Sequence, residues 1–96
     1  MTIFTILLPM PNPVLSQAIA DRFGADCLAL NDTQWLVSSS ATIQEVTARA
    51  GIFDARNPDA QTLGNAVVFA TTSYFGRAPV TVWDWIRSKL EARKDV

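Results

Sequence analysis

The sequence contains no histidine. That removes Ser-His-Asp and Cys-His catalysis, histidine general bases and most zinc sites. The single cysteine, Cys27, lies in the apolar run CLAL with no imidazole anywhere to activate it, so it reads as a small buried hydrophobe. Carboxylates group locally only at Asp32 in ND and at Asp54 and Asp59 in FDARNPDAQ. Both stretches are turn chemistry, because Asn and Asp side chains cap and turn their own backbone. A metal site needs a tighter set of oxygen ligands than this. FGRAP holds one glycine, whereas a phosphate loop needs a glycine-rich run opening a helix. No catalytic residue, metal or cofactor is therefore predicted.

What remains is basic and aromatic. The stretch SYFGRAPVTVWDWIRSKLEARK, residues 73–94, carries two of the three tryptophans and five of the eight basic residues. Tyr74, Arg77, Trp85, Arg87 and Lys89 are its candidates for contact with a partner. If exposed on one surface, they suit a nucleic acid, whose bases stack on aromatics and whose phosphates pair with cations. Tryptophan is equally suited to the rim of a protein interface. Arg56 joins the set because it and Arg77 carry guanidinium forks that can grip an anion or a partner carboxylate if they converge; the alternative is a pair of solvated charges. The net charge of −1 argues against a dedicated nucleic-acid binder. The balance is uneven: residues 1–76 carry a net −3 and residues 77–96 a net +2. A mild excess of that kind also describes a solvated helix face.

These residues need elements to position them. TIFTILLPM predicts a strand at 2–9, apolar on both faces, with Phe4, Ile6 and Leu8 on one and Ile3 and Leu7 on the other. Such a strand is central and covered on both sides. NPVLSQAIADRFG predicts a helix, with Asn12 as N-cap, Pro13 at the first position and Gly24 as the stop. DCLALNDTQWLVSS predicts a hairpin with strands at 26–30 and 34–38, Trp35 and Val37 sharing one face and Leu36 the other. SATIQEVTARAG predicts a second helix, opened by a Thr42–Glu45 capping box and closed by Gly51. A long connection at 52–65 follows, anchored by Leu63. A strand is expected at 66–74, with Phe69 alternating into the core beside Val67. APVTVWDWIRSKLEARK predicts the last helix, capped by Thr81 and Asp84, with Trp83, Ile86 and Leu90 on one face. Trp83 and Trp85 project about 200° apart on a helix. Trp83 is expected to pack inward, leaving Trp85 for a partner.

The order β-α-β-β-α-β plus a helix predicts an α+β, ferredoxin-like sandwich with an extra C-terminal helix, one domain over 1–96. Its two crossover helices cover one sheet face. Two covers suit the other face: the C-terminal helix folding back with Trp83, Ile86 and Leu90, or the same face of a second copy; the second is expected, giving a homodimer, with the C-terminal helix helping. No stretch approaches the ~20 apolar residues of a spanning helix, and the apolar run at the start ends in prolines 9, 11 and 13. With one cysteine, a cytoplasmic location is expected.

QWLVSS running straight into the capped helix ATIQEV resembles the third strand and second helix of small ferredoxin-like proteins. These are the CRISPR-associated adaptation nuclease subunit and its stand-alone relatives, including the GhoS-type antitoxin. VWDWI is similar to the tryptophan-bearing ends of some of those relatives. The resemblance implies a homodimer. Metal-dependent nucleases of the group place an aspartate at the end of the first strand. This chain has LLPMPNP there, with no acidic residue from Met1 to Ala20, so no catalytic role carries over. The function expected is a non-enzymatic interaction or regulatory module of antitoxin-like type. The alternative is a nucleic-acid-binding protein or weak ribonuclease using the basic aromatic C-terminal region.

Overall fold

Local chemistry sets the helix ends. In the computed structural model, which describes residues 1–72 and 76–91, Asn12 accepts from the Leu15 amide at 3.1 Å and opens α1, Pro13–Phe23. Its other side-chain atom, Nδ2, donates to the Leu63 carbonyl at 3.0 Å and ties down the long connection. The chain passes so close that a Cβ on Gly64 would lie 2.1 Å from that nitrogen. Thr42 and Glu45 form a reciprocal capping box at the start of α2, Ile43–Ala50. Gly51 ends α2 in the left-handed conformation, φ 87°, which a side chain disfavours.

The strands are β1, Thr2–Leu7; β2, Cys27–Asn31; β3, Gln34–Ser39; and β4, Val67–Thr71. A single 3₁₀ turn, Gly24–Asp26, joins α1 to β2, and α3 spans Val80–Glu91. The four strands form one antiparallel sheet in the order β2-β3-β1-β4, so β1 and β3 are central. The architecture is α+β.

Each sheet face has its own apolar layer. Phe4, Ile6, Leu8, Trp35 and Val37 meet Leu15, Ile19 and Phe23 of α1 and Val46 and Ala50 of α2. Ile6, Leu15, Ile19 and Val37 are wholly buried, each contributing roughly 1.5–3 kcal/mol. On the opposite face Ile3 and Leu36 meet Ile86 of α3, with Leu28, Val82, Trp83, Trp85 and Leu90 around them. The doubly apolar β1 is thus covered on both sides, and within this chain α3 forms part of the second cover. Among the described residues, Ser38 Oγ and Trp35 Nε1 are buried with no hydrogen-bond partner.

Four expectations are corrected. β1 stops at Leu7, because the Leu8 amide turns to the Thr33 carbonyl at 2.8 Å. Thr81 is not a cap: α3 starts at Val80 directly after Pro79, the Val82 amide donates to the Pro79 carbonyl, and Asp84 pairs with Arg87 instead. Both tryptophans pack against the α3-side layer, not Trp83 alone. Ile86 occupies the centre of that helix face, and the two indoles reach the sheet from its two flanks. Phe69 is not core. It lies opposite Thr5 and Val67 opposite Leu7, on the α3 side of the sheet, while Val68 and Ala66 pack toward α1 and α2.

Candidate functional site

Two basic residues of the C-terminal segment, Arg87 and Lys89, meet partners within the chain. Lys89 Nζ lies 2.9 Å from the Asp26 carboxylate and 5.8 Å from the Trp85 ring centre. Trp85 Nε1 donates to the Ala25 carbonyl at 3.3 Å. Together Trp85 and Lys89 clasp α3 to the 3₁₀ turn. Lys89 is mostly covered, so this pair is less screened than an ordinary surface pair. Arg87 pairs with Asp84 at 3.7 Å, one helical turn away and largely in water, where such contacts stabilise little.

Arg56 and Arg77 do not converge. The Arg56 amide donates to Asp54 Oδ1 at 3.0 Å in the loop after α2. Hydrogen bonds from Thr42 hold the Glu45 carboxyl below its usual range, with the charge of Arg56 adding a smaller effect. Arg77 stands at the other face, beside α3 and the hollow beneath it. Tyr74 lies outside the described residues. Of the predicted set, the structure therefore brings Trp85 and Lys89 together, with Arg87 on the same helix, and separates Arg56 from Arg77.

Cys27 is half-buried, with its thiol directed at the Gly24 carbonyl, 3.2 Å away. Burial, and then the charge of Asp26, push this thiol up, so it stays protonated at neutral pH. Among the described residues no group of three Cys, Asp or Glu side chains is placed to hold a metal ion.

The open feature of the fold is β4. Among the described residues it pairs with β1 alone, which leaves its outer edge free. Its sequence, VVFAT, has no charge and no proline. Natural sheets usually guard an edge with lysine, proline or a bulge. The opposite edge, β2, has such a break, between Ala29 and Asn31. Beside the free edge α3 leaves the sheet uncovered: Leu7 is 37 % exposed, Val67 56 % and Phe69 49 %. These three side chains lie on one face in adjacent register positions, at the mouth of a furrow of about 280 Å³ that Pro9 and Asn65 also line. An edge of this kind can take an extended strand through backbone hydrogen bonds, and the apolar strip can bury side chains from the same partner. Sequence reasoning missed Leu7 and Val67 as surface residues. The available signal was the absence of any charge from Ala66 to Tyr74 in an expected outer strand.

Comparison with protein-family models, curated proteins and solved structures finds no match to this chain.

Proposed function

We propose that the chain is a non-enzymatic, ferredoxin-like interaction module of regulatory, antitoxin-like type, and that it acts as a homodimer through β4. The ferredoxin-like reading is supported by central β1 and β3, outer β2 and β4, and a helix in each of the β1–β2 and β3–β4 connections. The observation that carries the dimer is the unguarded β4 edge with Leu7, Val67 and Phe69 exposed beside it. Two copies related by a two-fold axis would pair β4 with β4 and join the two apolar strips. A single free cysteine fits a reducing compartment such as the cytoplasm.

The nucleic-acid reading draws less support from the geometry, because Lys89 and Arg87 already face Asp26 and Asp84. Light scattering on a dilution series separates the two. Twice the 10.5 kDa chain mass at high concentration, halving on dilution, supports the dimer. Phe69→Lys should give the single-chain mass throughout. A wild-type chain that is monomeric at all concentrations would end the proposal. Nucleic acid travelling with the protein, and shed on Arg77→Ala plus Lys89→Ala, would favour the other reading.

A further inference from the structure

α3 does not close fully onto the sheet beneath it. Protein interiors close around side chains and leave few voids larger than a water molecule. Here a hollow of about 260 Å³ remains open to solvent on one side. A water molecule occupies only about 30 Å³ in the liquid. The helix is held over this hollow by polar contacts. Lys89–Asp26 and Trp85–Ala25 clasp it to the 3₁₀ turn, and Trp83 Nε1 donates to the Ala78 carbonyl at 3.1 Å near the start of α3.

The walls are apolar. Ile3, Leu36 and Leu30 come from the sheet, and Val82, Trp83 and Ile86 from the helix. Among the described residues, polar side chains that can serve a ligand enter at two places. On the sheet side the Thr5 and Thr71 hydroxyls are 2.7 Å apart and share one hydrogen bond. Two hydroxyls carry two hydrogens, so one donor remains to serve a ligand. Arg77 contributes a guanidinium, exposed and without an ion pair among the described residues. Its fork of N–H donors matches a carboxylate. α3 begins beside it at Val80 with no acidic residue in its first turn, so the helix end adds positive potential of its own.

We propose that this hollow is a binding site for a small amphipathic carboxylate, such as a medium-chain fatty acid. The carboxylate sits against Arg77 and the threonine pair, and the hydrocarbon runs along Leu30, Val82 and Trp83, over the floor made by Ile3, Leu36 and Ile86. The volume falls just below the roughly 300–1,000 Å³ of sites for drug-sized ligands, which favours a short chain. One cation among aliphatic walls suits a monoanion with a hydrocarbon tail better than a phosphate, which draws several cations and backbone amides. The site does not depend on pairing through β4, because Thr71 is the one lining residue from that strand among the described residues and lies on the sheet face toward α3, at the opposite end of the strand from Val67 and its neighbour Leu7.

The test is titration of the intact chain with sodium octanoate below its micelle concentration, followed by tryptophan emission and by amide NMR shifts. The expected result is saturable binding, with shifts concentrated at Thr5, Leu36, Thr71 and Trp83. Octanol, which keeps the chain and loses the charge, should bind roughly tenfold or more weakly. Arg77→Gln, at an exposed position that does not endanger folding, should weaken octanoate by a similar factor and leave octanol unchanged. Four results overturn the proposal: no saturable shift, equal affinity for octanoate and octanol, an Arg77→Gln variant that binds octanoate as the wild type does, or shifts confined to Leu7, Val67 and Phe69.

Discussion

Shortening Ile86 to alanine tests whether α3 is a structural cover of the second sheet face. Ile86 is 6 % exposed and, among the described residues, is the buried side chain that α3 places against Ile3 and Leu36. Burying an isoleucine of this kind and then truncating it costs about 2–5 kcal/mol, the larger values where the surroundings cannot relax. Here the lining of the adjacent 260 Å³ hollow can relax, so the lower end, about 2 kcal/mol, is expected. For a domain of this size that corresponds to a fall in Tm of roughly 8–16 °C. Leu15→Ala, in the closed layer beneath α1, should cost more, about 3–5 kcal/mol. Urea unfolding read by circular dichroism and by tryptophan emission measures both. The Ile86 variant should also show red-shifted emission before the sheet melts, as Trp83 and Trp85 become wet. A loss within about 0.5 kcal/mol of zero, the range of an ordinary surface change, would refute α3 as the cover.

Other perturbations have defined outcomes. Ser38→Ala removes a buried hydroxyl with no partner among the described residues and should stabilise by about 1 kcal/mol, seen as a higher urea midpoint; a loss of stability would show that the hydroxyl is satisfied. Gly51→Ala should destabilise by more than about 1 kcal/mol in thermal melts, because φ is 87° and the new Cβ would lie 2.7 Å from Leu63 Cδ1. Glu45 is held below its ordinary value of 4.5 by Thr42, so its contribution is present above that pH and fades as pH falls through the lowered folded value. Urea midpoints between pH 3 and 6 should show that fall in the wild type, and Glu45→Gln should flatten it while keeping the cap.

The parts of this fold that could be read from the sequence are those fixed by neighbours a few residues apart. Asn12, Pro13 and Gly24 bound α1, and Thr42, Glu45 and Gly51 bound α2, through contacts made within their own turns. β1 declared itself central because both its faces are apolar. The Thr81–Asp84 pattern failed because the helix starts at Val80, directly after Pro79, which puts Thr81 inside it. The facing of β4 was hidden because VVFA is apolar on both sides, and coverage by α3 decides which side stays wet. The candidate site was legible in composition and illegible in pairing. Lys89 meets Asp26 across 63 residues, and whether Arg56 and Arg77 share a face depends on which side of the sheet each helix takes.

Amide hydrogen exchange in β4 tests the central claim most directly. In an antiparallel edge strand about half of the amides bond to the neighbouring strand and the others point outward. If β4 pairs with β4 of a second copy, the outward amides between Val67 and Thr71 are protected at high protein concentration and lose protection on dilution, while the amides bonded to β1 keep theirs. Outward amides that exchange at unprotected rates at every concentration would contradict dimerisation through this strand.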